Sequence, residues 1–409
     1  MNKTRIGVIG MGYRGKIHFQ NILQRKNVVV VAISDPSMNR EEIISWCEDA
    51  GHPIPAFYTE REGYEEMLQN ELLDGIILSV PWDHFTAILC RTLSFNLMIG
   101  VEASSISKLS EIDQIMNSYF ANSSKVMILE NACYHRDVMS IFNMVQKGLF
   151  GELLHMRGGY EHDLRGVKFD KNYQYGTGAE GEASWRTIHS LKRNGDLYPS
   201  HGIGPLSYLL DINRGNRFIS ISSFATKSKG LSHHLKKHLG TDHPNANISW
   251  KLGDVITSNI TTARGETIIL THATNTCRPY SLDFRVQGTE GIWIQENGNH
   301  LHIDSLCEHG EWSPSPLSIL REYDAPCWKE NESLAATSVR HEMDYFVLDD
   351  FIKSTQDEKE PKFDIYDMAT WLSISALSEI SIEKGGVPIP FPDFTLGKWK
   401  SRESFYSQE

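Results

Sequence analysis

The hexapeptide Gly10-Met11-Gly12-Tyr13-Arg14-Gly15 stands after an apolar run and before a helix-like stretch, the context in which GxGxxG has chemical meaning. Its first glycine permits a tight turn, its second lets a pyrophosphate approach the backbone, and its third allows close packing of helix on strand. Amides at the helix N-terminus then face the phosphates. Asp35 ends the next apolar run, where a carboxylate accepts hydrogen bonds from ribose hydroxyls and repels a 2′-phosphate. The expected cofactor is therefore NAD rather than NADP. In such sheets the strand ends line the ligand crevice, so Trp82, Asp83 and His84, then Glu102 and Ala103, then Asn131 are expected to flank the nucleotide with Tyr13 and Arg14. Trp82 can also be read as a core or surface aromatic. Far along the chain, Tyr198 and His201 lie three apart at a loop-to-helix junction and can point into one pocket. Both residue types move protons in catalysis.

The elements that must hold these residues follow from periodicity. Arg5 to Gly10, Asn27 to Ser34 with its four consecutive valines, Gly75 to Val80, Leu97 to Val101 and Lys125 to Leu129 read as strands buried on both faces. Helical stretches alternate with them, which predicts an α/β class with an N-terminal Rossmann, doubly wound parallel sheet over residues 1–130. Residues 131–409 are expected to form a C-terminal α+β domain with a largely antiparallel open sheet. Its strands are Leu153 to Tyr160, Arg217 to Thr226, Val255 to Ala263, Thr267 to Thr274, Leu282 to Gln287 and Gly291 to Gln295. Helices are expected at about 333–351 and 365–382, ahead of a proline-rich tail at Pro388, Pro390 and Pro392.

Composition removes several function classes. A formal charge of -12 disfavours a binder of phosphate backbones, which needs Lys and Arg to neutralise phosphates, so no nucleic-acid partner is expected. Six scattered cysteines without a CxxC pair argue against a zinc ribbon or thioredoxin-like site. His233, His234, His238 and His243 lack a completing carboxylate or cysteine and read as a solvated loop, so no metal is expected. No apolar run reaches the roughly 20 residues of a membrane span. The first strand starts at Arg5, which leaves no room for a signal peptide ahead of it. As given the chain reads as cytoplasmic, or as periplasmic or secreted if a leader was trimmed from it. An open sheet face in the second domain predicts a homo-oligomer, dimer or larger.

The glycine-rich start with Asp35-Pro36, Pro81 after a strand-like run, and Gly288-Thr289-Glu290-Gly291 in the second domain resemble the Gfo/Idh/MocA superfamily, over nearly the whole chain. Its dehydrogenases usually carry Glu-Lys-Pro where this chain has Glu102-Ala103-Ser104. They tend to place an Asp four residues before the active-site histidine, where this chain has Leu197, and a histidine four residues after the proline, where it has Phe85. A narrower match accounts for those departures. Glu130-Asn131-Ala132-Cys133-Tyr134, Gly158-Gly159-Tyr160-Glu161-His162-Asp163-Leu164-Arg165, Trp185-Arg186, Gly195 to Pro205, and Arg278-Pro279-Tyr280-Ser281 together look like glycoside hydrolase family 109, the NAD-dependent α-N-acetylgalactosaminidases.

That resemblance implies substrate contacts or catalysis at Tyr160, Arg186, Tyr198, His201 and Tyr280, with Glu130 at the edge of the site and Trp185 and Tyr198 on the nicotinamide side. It implies a glycosidase acting on a sugar or glycan by transient oxidation at C3, elimination, water addition and re-reduction. Within that scheme His201 and Tyr198 are assigned to the C3 hydroxyl, Tyr160 to proton transfer at C2, and Arg186 with Tyr280 to sugar or enolate contacts. The alternatives are an NAD-dependent sugar dehydrogenase that releases NADH and a non-catalytic, NAD-sensing binding protein. One departure concerns the last domain, where the family often has His-Gly-Gly before Met-Asp and this chain has Val339-Arg340-His341-Glu342-Met343-Asp344.

Overall fold

The computed structural model describes residues 3–407. The chain forms two compact units, each assembled from more than one segment. The first unit comprises residues 1–104, 110–134 and 326–369, and the second comprises 105–109, 135–325 and 370–409. The sequence reading drew a single cut at residue 130. A later segment instead supplies part of the first unit, because the helix Glu342–Asp357 lays an apolar face on the first sheet. There the ring of Phe351 lies within 3.0–3.2 Å of where a side chain at Gly75 or Gly100 would begin, so any larger residue there would have to push that ring aside by a few tenths of an ångström.

The first unit is built on six parallel strands, β1 (Thr4–Ile9), β2 (Val28–Ser34), β3 (Ala56–Tyr58), β4 (Gly75–Leu78), β5 (Met98–Val101) and β6 (Lys125–Ile128), in the order β3-β2-β1-β4-β5-β6. Ile6, Val8, Ile76, Ile77, Ile99 and Ile128 are fully buried, as strands covered on both faces require. The order reverses between β1 and β4, so the loops leaving those strands part from one another and open a crevice at their C-terminal ends. The β3 strand has only three residues and gave no periodic signal.

In the second unit an eight-stranded sheet runs in the order β13-β12-β11-β7-β10-β9-β8-β14. Its strands are β7 (Leu153–Glu161), β8 (Phe218–Ala225), β9 (Ile256–Thr262), β10 (Thr267–Ala273), β11 (Arg285–Gly288), β12 (Gly291–Ile294), β13 (His300–Ile303) and β14 (Ile389–Pro390). All neighbours pair antiparallel except β7 with β10, which is parallel and sets Tyr160 beside His272. The proline-rich tail supplies β14, and it does so at the sheet edge, where a missing N–H costs nothing.

Two local expectations are corrected. The helix expected at 333–351 is split into Pro326–Ala335 and Glu342–Asp357, because Asn21 accepts hydrogen bonds from the Val339 N–H (2.9 Å) and the Ser338 hydroxyl (3.1 Å) and holds the intervening chain in a turn. The stretch around His233 to His238 is helical, over Gly230–Leu239, rather than a loop. Leu231 and Leu235, four apart, are fully buried with Phe169, Ala246 and Trp250, and the Asp254 carboxylate accepts the N–H groups of Lys229 and Gly230 at the helix start. The His234 ring stacks on Phe169 and that of His238 on Tyr173.

Candidate active site

In the first unit the glycine loop has the geometry its sequence implies. Gly10 takes φ +92°, and a Cβ there would lie 2.1 Å from the Ser79 carbonyl oxygen. A Cβ on Gly15 would lie 2.0 Å from the Gly10 carbonyl oxygen, so helix and turn touch backbone to backbone. Gly12, in contrast, has nothing within 4 Å of that position. It caps the helix Tyr13–Leu23, whose first-turn amides receive no side-chain cap. The result is an open cradle of helix N–H groups, which fits a diphosphate. The Asp35 carboxylate accepts from the Met11 N–H at 2.7 Å and the Ser37 N–H at 2.6 Å, which ties the end of β2 to the loop. These residues fit NAD.

Around the same strand ends lies an ion cluster that sequence reading only partly saw. The Arg14 guanidinium is bonded to Glu102 (2.9 Å) and to both carboxylate oxygens of Asp344 (3.0 and 3.2 Å). His18 Nε2 lies 2.6 Å from Glu102, the Ala103 N–H donates to Glu102, and Asn131 donates to Asp344 at 2.8 Å. Burial opposes charge on Glu102, but the Arg14 cation and the bonds from His18 and Arg14 hold its carboxyl well below the usual range. Asp344 is likewise held low by Arg14 against its own burial. Of the other expected residues, Trp82 is buried at the start of the helix Trp82–Thr92, with Asp83 and His84 exposed beside it. Glu130 is fully buried and accepts the Ala132 N–H. Tyr13 is exposed, with the Arg340 guanidinium 5.5 Å from its ring.

The second unit gathers the expected tyrosines and histidine into one cluster. The ring of Tyr160, near the end of β7, lies 4.7 Å from that of Tyr198, 5.3 Å from His201 and 6.3 Å from Tyr280. Tyr198 and His201 are 4.8 Å apart. The backbone explains the approach. A Cβ on Gly158 would sit 2.8 Å from the Gly202 carbonyl oxygen, and one on Gly202 would sit 2.6 Å from the Gly159 nitrogen, so the helix Ser200–Leu209 lies directly on β7. Tyr280 is held from the loop side, where Arg278 forms an ion pair with buried Glu161 and Ser281 pairs with Glu161 through the backbone. Gly202→Ala is expected to cost about 3 kcal/mol and, by pushing Tyr160 off its neighbours, to lower turnover by at least ~10-fold. Urea unfolding and steady-state rates measure the two effects, and wild-type values in both would show that the close approach is dispensable.

Behind the rings stand charged groups. Arg186, at the start of the helix Arg186–Lys192, is bonded to Glu182 at 2.6 Å and lies 4.8 Å from the Trp185 ring and 5.9 Å from that of Tyr198. Burial works against its charge, yet Glu182 and the phenols of Tyr160 and Tyr198 more than compensate, so it remains a cation. The Lys168 ammonium, fully buried, donates to Thr274 (2.8 Å) and Asn275 (2.5 Å), and burial together with the Arg186 charge pulls its pKa down to about 7. His272, the strand neighbour of Tyr160, is pulled down to about 3 by burial, Lys168 and Arg186, and is therefore neutral. Burial lifts Asp196 to about 7, opposed by the Tyr198 N–H that it accepts at 3.1 Å. Sequence reading assigned no role to Lys168, His272, Asp196 or Asp344, since each gains its meaning from distant partners. His162 was quoted in a motif but given no role, although its place two residues after Tyr160 was a usable signal. Its Nδ1 lies 3.1 Å from the Tyr160 hydroxyl, and its ring lies 5.0 Å from that of Tyr280.

Residues 134–401 match the family model described as glycosyl hydrolase 109, C-terminal domain, and residues 4–136 match that of the oxidoreductase family, NAD-binding Rossmann fold. A glycosyl hydrolase family 109 protein of Parabacteroides distasonis is 42% identical over 98% of this chain and 89% of its own length. An α-N-acetylgalactosaminidase of Tannerella forsythia is 41% identical over 98% and 88%. Among solved structures, a levoglucosan dehydrogenase in complex with NADH and L-sorbose superposes with a TM-score of 0.69 over 96% of this chain and 100% of that one, at 15% identity, and so shares the fold.

Proposed function

The chain belongs to glycosyl hydrolase family 109, and on that premise we propose that it hydrolyses glycosides of α-N-acetylgalactosamine or a closely related amino sugar, with NAD as a resident cofactor. The observation that carries the reading is the cluster of Tyr160, Tyr198, His201 and Tyr280, four groups able to move protons or hydrogen-bond a sugar, packed ring to ring near a half-buried arginine.

When bound, NAD supplies a reversible acceptor for the hydrogen at C3 of the sugar, which makes the C2 proton acidic. The side chains then have separate tasks. His201, with Tyr198, takes the C3 hydroxyl proton and later returns it. Tyr160 removes the C2 proton, after which the C1 substituent departs, and Tyr160 returns a proton to C2 once water has added at C1. Arg186 offers a fixed positive charge to the oxygen that becomes negative during this exchange, and Tyr280 hydrogen-bonds the sugar. Asp35 and the Gly10–Gly15 loop hold the adenosine ribose and the diphosphate.

The test uses the protein as purified, without added nucleotide, on p-nitrophenyl α-N-acetylgalactosaminide. Steady nitrophenol release, with one solvent deuterium entering C2 of the product in heavy water, is the expected result. Stoichiometric build-up of reduced nicotinamide from free sugars, without glycoside cleavage, would overturn the reading in favour of a dehydrogenase. Inactivity in both assays with nucleotide retained would favour a binding protein.

A further inference from the structure

The proposed base has a protonation problem. An ordinary phenol titrates near pH 10, so at neutral pH Tyr160 must lose its own proton before it can take one from carbon. A phenol hydrogen-bonded to a nitrogen base can hand that proton over in the same step. Within hydrogen-bond distance of the Tyr160 hydroxyl stands Nδ1 of His162, at 3.1 Å. The arrangement is built rather than incidental. Tyr160 and His162 are two apart on an extended segment, so their side chains emerge on one side. Glu161, between them, faces the other way, is buried, and is fastened by the Arg278 ion pair and by paired backbone bonds with Ser281 (3.1 and 2.9 Å). His162 is next held by its own N–H to the Ala273 carbonyl at 3.0 Å, and its ring meets that of Tyr280 edge-on. The imidazole is therefore fixed on the side of Tyr160 that Tyr280 closes.

We propose that His162 is the positioning residue and proton acceptor of Tyr160, so that a Tyr160–His162 pair, rather than Tyr160 alone, exchanges the C2 proton. This rests on the function proposed above and assigns its C2 step to a residue that step did not yet include. The protons balance. In the forward half the Tyr160 hydroxyl proton moves to Nδ1 of His162, the C2 proton moves to the phenolate oxygen, and the C2–H electron pair expels the aglycone oxygen from C1. In the return half the hydroxyl of water adds to C1, the Tyr160 hydroxyl proton, exchanged with solvent once the aglycone has left, goes to C2, and Nδ1 returns its proton to the phenolate. The second water proton leaves on the aglycone oxygen. Both side chains end as they began.

Three forms of the full-length protein test the pair on p-nitrophenyl α-N-acetylgalactosaminide, with hydrogen or deuterium at C2. These are the wild type, His162→Gln, which keeps a polar side chain but cannot take up a proton, and His162→Ala. Retained nucleotide and an unchanged melting temperature show that each variant is folded. For His162→Gln, kcat is expected to fall by about 10²-fold with KM within twofold, and the C2 isotope effect on kcat to rise above the wild-type value. Added imidazole is expected to restore part of the His162→Ala rate. A fall in kcat without a larger isotope effect and without imidazole rescue would show a purely structural role and overturn the pairing, as would an unchanged kcat. Those two results leave the wild-type cleavage and its C2 exchange intact, so they sink the pairing alone, whereas a wild-type protein that does not cleave the glycoside sinks both.

Discussion

Tyr160→Phe is expected to lower turnover of an α-N-acetylgalactosaminide by on the order of 10³-fold while the protein keeps its bound NAD. The substitution removes one oxygen and leaves the ring, so the packing against Tyr198 at 4.7 Å and His201 at 5.3 Å survives, and with it the contact between Gly158 and Gly202. The proton carrier and its bond to His162 are lost. Under the proposed assignment His201 and Tyr198 keep the C3 hydroxyl, and the block is expected to fall on C2. Deuterium uptake at C2 from heavy water should therefore fall in parallel with product formation, with KM little changed. Removing Tyr198 or His201 should instead suppress both steps, because no C2 acidity develops without the ketone at C3. A Tyr160→Phe protein that turns over at the normal rate would remove Tyr160 from the chemistry and would leave its central place among the rings as packing.

Much of this site is legible in the chain because its parts are local. The glycine loop and Asp35 are read from strand ends and from residue types that only one backbone geometry accommodates, as the 2.0 Å approach at Gly15 shows. The parallel strands announce themselves as β-branched runs because both faces are covered. Three strands escaped for the complementary reason. Ala56–Tyr58, His300–Ile303 and Ile389–Pro390 are too short or too polar for a period to register, and the sheet neighbours recruit them. Burial of charge is legible least of all. Nothing near Lys168 in sequence says that its ammonium will be sealed against Thr274 and Asn275, more than a hundred residues away, and nothing near Arg14 points to residue 344. The histidines of the helix Gly230–Leu239 show the reverse error, since their polarity masked the two leucines that decide the fold there.

Arg14 is where that blindness has its largest consequence for stability. Sequence reading placed it among the nucleotide contacts, yet its guanidinium is bonded to Glu102 and to Asp344, whose side chain is fully buried. Arg14→Met keeps the apolar stem and withdraws the charge, which leaves two carboxylates in a site with only the bonds from His18, Ala103 and Asn131. Breaking a buried pair in this way costs about 3–5 kcal/mol. The sign of its pH dependence follows from the carboxylates. In the wild type both are held below their unfolded values, so the stability they contribute is present at neutral pH and lost as pH falls through the folded values. Without Arg14 the same groups are raised, and protonation relieves them. Urea midpoints should therefore fall far behind wild type near pH 8 and recover part of the gap near pH 5. Arg14→Lys should not restore the difference, because a single ammonium cannot match the fork that spans Glu102 and both oxygens of Asp344. A loss of equal size at both pH values would mean that the stem, not the charge, holds this corner together. The departure at Ala103 then has a physical reading. A chain without the lysine that usually follows this glutamate still carries a fixed cation on it, supplied from the glycine loop, and Arg14 holds the charge of Glu102.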